Sequence, residues 1–451
     1  MKLTFYGGAE EVTGSNYLLE SGDTKILIDC GLFQGSKYAE EGNQVPFQYD
    51  PKSIDALLVT HGHIDHIGRI PKLFKDGFRG KIYSTEPTKD FAEPLLLDAM
   101  HMMSDEGVRH GTKDLYNEDD IDGALKLWDA FSYHEPITIG PFEVEFYDAG
   151  HILGSSSILV SAEGKRVLFS GDLGNSPSLF IKPTEYFENV DYALIESAYG
   201  NRVHEGAADR SDVLEDVIEE TTKNGGVVMI PSFALERTQE MIYEINELAE
   251  GGKVPEVPVF VDSPLAIKLT AIYQKYARNP KYINDEFLAH EHGGQSTFAL
   301  PGVTMTLTTE QSKEINNIPA PKIIIAGSGM SQGGRILHHE MRYLPDPKSL
   351  ILFVGYQSKG SLGRAILEGA TRVRIMGEDV DVRCKKSVIS GYSAHADQNQ
   401  LMKWLTPMRE SVKTVFVVQG EKESAEALAQ RARDELAIRA VVPAVNTSVV
   451  L

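Results

Sequence analysis

The sequence predicts an α/β protein of more than one domain, and three observations predict it. Short apolar runs alternate with amphipathic stretches of helical period along most of the chain. Several of those runs end in Asp, His or Glu, as expected when polar groups collect at one edge of a sheet. The chain has 451 residues, more than one ordinary core supports, which favours two or three domains.

Taken in order, residues 2–6, 15–19 and 25–29 read as strands, the first two separated by Gly7-Gly8 and Gly14. The third leaves Asp29 at a strand end. Residues 54–60 are a further buried strand. A helix is expected from Asp65, whose carboxylate suits a helix N-terminus, to about Lys75. Residues 86–106 and 115–128 have helical patterning, with His101 and His110 as bystanders. Strands at 143–147 and 167–170 run into Asp148-Ala149-Gly150-His151 and Gly171-Asp172-Leu173-Gly174. Beyond these, helices at 209–223, 237–249 and 266–276 alternate with strands at 227–230, 259–262, 322–326 and 350–354, which fits a separate α/β domain.

Hydrophobic content of 42% with 24% charged residues is that of an ordinary globular protein. No apolar run approaches membrane-spanning length, and Met1–Tyr6 reads as a strand and not a signal peptide, so no membrane partner is expected. Cys30 and Cys384 cannot build a disulfide framework and have no metal-type spacing; they read as buried small hydrophobes. Together these point to the cytoplasm. The net charge of −21 excludes a surface coated in basic patches, so contact with nucleic acid would need a local cleft.

Thr60-His61-Gly62-His63-Ile64-Asp65-His66 stands out, because the whole chain has only 13 histidines. Neutral imidazole and carboxylate are donors for zinc and similar first-row metals. In extended backbone alternate side chains share a face, so His61 and His63 can point at one ion. Asp65 and His66 open the next element and can turn towards a second. The alternative is a polar loop at a strand end.

The order Asp29, then His61-x-His63-x-Asp65-His66, then His151, then Asp172 resembles the metallo-β-lactamase-fold hydrolases. The resemblance implies an αββα sandwich with a binuclear centre at its edge, holding two Zn2+, with Mn2+ or Fe2+ also suited to such donors. His61, His63 and His151 would hold one ion and Asp65 with His66 the other, Asp172 bridging. Asp29 would orient ligands through hydrogen bonds. The stretch Ala193–Arg202, containing Glu196-Ser197-Ala198-Tyr199-Gly200-Asn201-Arg202, resembles the "ESTYGNR" signature of the β-CASP subgroup, with Ala198 in place of Thr. Residues 230–240, 261–266 and 327–335 also resemble that subgroup, and 389–397 resembles its histidine motif, which contains His395. The implied architecture is a metallo-β-lactamase αββα sandwich, residues 1–205 and 385–451, with an α/β β-CASP domain inserted at 206–384.

The loop Gly327–Gly334 runs into a helix carrying Arg335, and Gly-rich backbone at a helix N-terminus can receive phosphate through its N–H groups. The alternative is a plain Gly-rich turn. Ser328, Gly333, Gly334 and Arg335, with Ser393 of the histidine motif, form the candidate substrate-binding set; Tyr356, Gln357 and Lys359 also follow a strand end. Phe233 and Tyr392 are candidate platforms for stacked bases.

The resemblance implies a metal-dependent phosphodiester hydrolase that cleaves single-stranded RNA internally, like the compact bacterial β-CASP ribonucleases. No segment resembling an RNase J-type C-terminal extension or an archaeal KH region is expected. A metal-bridging hydroxide would attack, and His395, oriented by Glu196, would protonate the leaving oxygen, with Asp65 among the catalytic carboxylates. RNA is the expected partner and a homodimer a candidate assembly. One position departs from the pattern: the RNA-processing members place His where this chain has Gln419. An amide oxygen is a weaker zinc donor, which predicts a weakened second site. A non-catalytic or weakly active RNA-binding homologue and a small-ester hydrolase on the same fold are the competing readings.

Overall fold

In a computed structural model the chain is described at residues 1–34, 37–110, 114–204, 206–291, 302–355, 357 and 360–451. Tyr356 and Lys359 lie outside the described residues, as does the side chain of His110; His101 is exposed. Two compact units result: Met1–Val203 with Asn279–Asn284 and His395–Leu451, and His204–Arg278 with Asp285–Ala394.

The first unit is built on two seven-stranded sheets. One runs Thr447–Val450, Lys2–Gly7, Asn16–Ser21, Thr24–Ile28, Ala56–Leu58, Lys81–Thr85 and Trp128–Phe131 in spatial order. The other runs Ala440–Val441, Thr414–Val418, Tyr192–Glu196, Lys165–Phe169, Ser156–Ala162, Phe142–Asp148 and Ile137–Ile139. Their inner faces share one buried cluster in which Leu3, Phe5, Ile28 and Leu58 meet Phe146, Ile158, Phe169 and Phe416. On the outer face of the second sheet, Leu168, Ile195 and Val417 bury against Trp404, Leu405, Leu428 and Ala432 of helices Gln398–Leu405 and Lys422–Leu436. The strands are buried on both faces, which is why they read as continuous apolar runs and not as alternations.

Several elements differ from the sequence reading. The helix expected from Asp65 is two short ones, Ile64–Ile67 and Ile70–Lys75. Gly68 N–H closes on Ile64 O, Arg69 N–H is taken by Cys30 O, and Pro71 brings no donor to continue the first helix. Residues 115–128 hold a helix only at Glu118–Leu125; Trp128–Phe131 is a strand parallel to Lys81–Thr85, with the Trp128 indole N–H on Ser84 Oγ at 2.8 Å. The return expected at residue 385 comes at His395, because Lys385–Val388 pairs with Leu350–Phe353 in the second unit's sheet. Asn279–Asn284 belongs to the first unit, where Tyr282 packs on Tyr133 with ring centroids 5.3 Å apart.

The second unit is a six-stranded parallel sheet in the order Val303–Met305, Val259–Asp262, Lys322–Ala326, Val227–Pro231, Leu350–Phe353 and Lys385–Val388. Buried clusters cover both faces, one containing Ile242 and Leu248, the other Ile336 and Ile366. No helix among the described residues is long and apolar enough to cross a membrane. Cys30 and Cys384 are buried free thiols.

Glu340, on helix Ile336–Tyr343, is fully buried; Ser331 Oγ donates to Oε1 and Oε2 has no partner among the described residues. Burial pushes its carboxyl up to about 8. The folded state therefore keeps a proton that the unfolded chain releases above the ordinary carboxylate value. Stability falls as pH rises from there towards about 8. Glu340→Gln is expected to flatten that fall and add roughly 1–3 kcal/mol at pH 8, read by denaturant melts across pH. Equal slopes in both proteins would contradict the assignment.

Candidate metal centre

The site lies at one end of the two sheets of the first unit, where strand ends deliver polar residues. Strand Ala56–Leu58 passes into Thr60 and His61; strand Phe142–Asp148 leads to His151, Lys165–Phe169 to Asp172, and Tyr192–Glu196 ends on Glu196. Two glycines let the loops approach closely. A Cβ at Gly31 would lie 1.5 Å from Asp65 O, and one at Gly174 1.6 Å from Gly150 O.

His61, His63, His151 and Asp172 bring four donor atoms within 4.8 Å of one another. His63 Nδ1 lies 3.0 Å from His61 Nε2 and 3.2 Å from His151 Nε2. Asp172 Oδ2 is 3.5 Å from His61 Nε2 and 3.7 Å from His151 Nε2. Ligands of one tetrahedral zinc sit roughly 3.3–3.5 Å apart, given bonds of about 2.0–2.1 Å, so these four fit one ion. Protonation agrees with that use. Burial, with His66 beside it, holds His61 well below the ordinary imidazole value, hence neutral. Burial acts to raise the Asp172 carboxyl, but the imidazoles of His66 and His61 more than offset it and keep the carboxylate ionised.

The rings are held from behind. Asp29 Oδ2 lies 2.7 Å from His66 Nδ1, and its carboxylate also accepts from Thr60 N–H at 2.8 Å and Ser15 Oγ at 3.1 Å. Thr60 Oγ1 sits 2.9 Å from Asp29 Oδ2 and 3.0 Å from His61 Nδ1, so one hydroxyl links Asp29 to His61. This sets the tautomer that leaves Nε2 of His61 facing the ion position. Thr60 and Ser15 escaped the sequence reading; the only cue is Thr60's place immediately before the histidine cluster.

Asp65 and His66, expected at a second ion, form a looser group with Asp172. The other group of donors within 4.8 Å among the described residues is Asp172, Glu196 and His395, and neither group contains Asp65 or His66. His66 Nε2 is 3.4 Å from Asp172 Oδ1 and 4.0 Å from Asp65 Oδ2. Gln419 lies against His66 and Asp172: its Nε2 donates to Asp172 Oδ1 at 2.7 Å and lies 3.1 Å from His66 Nε2. Burial lowers His66, but Asp172 and Asp29 raise it further and favour a proton there. A protonated ring turns Nε2–H to Asp172 and leaves the amide bond to Asp172 unchanged.

His395 is fixed by backbone pairing with Gly174 and by Ala396 N–H on Leu173 O at 2.7 Å. Its Nδ1 meets Glu196 Oε1 at 3.1 Å and lies 3.9 Å from Asp172 Oδ2, and its ring packs on His151 at 4.5 Å. Glu196 also accepts from Leu173 N–H at 2.8 Å and Ala198 N–H at 3.2 Å. Burial lowers His395, yet Glu196, Asp172 and Asp65 push it up to about 9.

The candidate substrate-binding residues belong to the second unit. Arg335 is committed internally: it pairs with Asp262 at 2.8 Å and donates to Thr306 O and Leu307 O, each at 2.9 Å. Asp262 is fully buried and also takes Ser312, Thr306 and His339. Ser328 N–H, Ser331 N–H and Ile336 N–H bond within the loop, and Ser328 Oγ accepts from Gln332 N–H. Gly333 O accepts from Ser328 N–H at 3.2 Å, so the loop is closed on itself at that point. Ser393 is buried. Tyr392 is fully buried, with the Arg210 and Arg237 guanidinium groups 5.2 and 6.0 Å from its ring, so it offers no face to a base; Phe233 is 40% exposed and does.

Residues 9–187 match a model of the metallo-beta-lactamase superfamily, 238–366 the Beta-Casp domain, and 379–443 a Zn-dependent metallo-hydrolase RNA specificity domain. The chain is 37% identical over 428 residues to a ribonuclease of Thermus thermophilus, covering 95% of each. It is 32% identical to an RNase J-like protein of Methanocaldococcus jannaschii, covering 99% of this chain and 98% of that one. It is also 32% identical to the transcription termination factor FttA of Methanosarcina mazei, spanning 70% of that protein. A crystal structure of a protein of unknown function from Enterococcus faecalis shares the fold, with a TM-score of 0.56, 13% identity, and 100% and 99% coverage of the two chains.

Proposed function

Since the chain belongs to the β-CASP branch of the metallo-β-lactamase superfamily, we propose that it is a metal-dependent ribonuclease that cleaves single-stranded RNA internally, in the cytoplasm. The observation that carries the reading is the four-donor cluster of His61, His63, His151 and Asp172 with the His395–Glu196 pair against it, in a chain 37% identical to a ribonuclease.

Three imidazoles and a carboxylate suit zinc. When bound, such a dication lowers the pKa of water to near ~7 and offsets phosphate charge. The protein's own groups do the rest. Asp29 and Thr60 hold the histidine rings at fixed angles, so the donor set is formed before substrate arrives. Glu196 holds Nδ1 of His395, which leaves Nε2–H as the proton that can reach a leaving oxygen. The raised His395 value keeps that proton in place at neutral pH. Gly333 and Gly334 offer backbone N–H groups to a phosphate, and Phe233 a face for a base. Arg335 gives three bonds to Asp262 and the Thr306–Leu307 backbone and keeps an exposed part of its guanidinium for a substrate phosphate.

A circular single-stranded RNA tests the reading, because it has no ends. It is expected to open with the protein as purified, to stay closed after chelation, and to open again on adding zinc. Degradation of linear RNA with the circle intact would overturn internal cleavage. No cleavage of either would overturn the ribonuclease reading.

A further inference from the structure

We infer that this chain holds one metal ion and not two, because the side-chain amide of Gln419 engages the groups that would hold the second and offers no good ligand in return. This rests on reading the histidine cluster as a metal centre. The amide nitrogen carries two hydrogens, and it stands 2.7 Å from Asp172 Oδ1 and 3.1 Å from His66 Nε2, on two residues that would hold a second ion. The shorter contact identifies the atom: an amide oxygen held 2.7 Å from a carboxylate oxygen would be repelled, whereas N–H donates to it. The bond to Asp172 stands whether His66 is neutral or protonated, and with Nδ1–H on Asp29 the neutral ring accepts the second amide hydrogen at Nε2.

Asp172 is thereby divided. Oδ1 is restrained by Gln419, while Oδ2 faces His61 and His151 and serves the first site. Gln419 is also rooted. It is 4% exposed, its backbone sits in the left-handed region at φ 49°, its N–H donates to Gly8 O at 2.6 Å, and its carbonyl accepts from Ser197 N–H. An ion entering here would break the buried hydrogen bond from Gln419 to Asp172. In return it would meet a neutral amide oxygen, a poor zinc donor, and an Asp65 carboxylate outside both compact donor groups found among the described residues.

The test is zinc stoichiometry. Metal-free full-length protein is titrated with zinc by calorimetry, and zinc per chain is measured by elemental analysis after dialysis. Wild type is expected to bind one tight equivalent. Gln419→His and Gln419→Glu each put a true ligand at this position, and at least one is expected to bind two. Retention of the first equivalent in both variants reports that the fold survives. Two tight equivalents in wild type would overturn the inference while leaving the metal-centre reading intact. One equivalent in all three proteins would overturn the role of Gln419. No zinc in wild type would overturn the metal centre, and this inference with it.

Discussion

Asp172→Ala is expected to lower RNA cleavage by roughly three orders of magnitude or more, a barrier change of about 4 kcal/mol. Oδ2 completes the donor set with His61 and His151, Oδ1 takes the Gln419 amide, and His395 lies 3.9 Å away. Alanine removes the carboxylate from the first site and leaves the imidazoles packed around a void. The loss should therefore appear in zinc content as well as in rate. Measuring kcat/KM on labelled RNA beside elemental zinc checks both, and cleavage at the wild-type rate would sink the assignment.

His395→Ala is expected to cost about 10²- to 10⁴-fold on RNA, the range for loss of a positioned general acid. Zinc content should be unchanged, because His61, His63, His151 and Asp172 form their set without it. The diagnostic lies in the leaving group. A nitrophenyl phosphodiester releases a phenolate that needs no proton, so the variant should recover most of the wild-type rate on it. Glu196→Gln keeps the shape but weakens the hold on Nδ1, and roughly a 10- to 100-fold loss on RNA is expected, as for partners that orient a reacting ring. Equal losses on RNA and on the nitrophenyl ester would mean that His395 positions substrate and does not donate a proton.

How legible each part was in the sequence depended on how local its cause is. His61 and His63 share a face because they stand two positions apart in extended backbone, and any extended chain with that spacing does the same. The strands were readable because both sheets are buried, which makes their runs apolar throughout. The helix break at Gly68–Arg69 was not readable, since Arg69 N–H is drawn off by Cys30 O from another loop. Strand Trp128–Phe131 likewise depends on its neighbour Lys81–Thr85, and a helical pattern runs straight into it. Tyr392 looked like a stacking platform in its motif, but its place beneath two arginines is set by Arg210 and Arg237, far away in sequence. Gln419 shows the same limit most clearly. Its identity announced a weaker ligand, but that the nitrogen and not the oxygen faces the site depends on Asp172, 247 residues earlier.

The most direct measurement is a zinc titration of metal-free protein followed by cleavage of circular RNA. Cleavage is expected to be absent at the start, to rise in proportion to added zinc, and to level off at one equivalent. Full cleavage by the metal-free protein, or none at saturating zinc, would contradict the account.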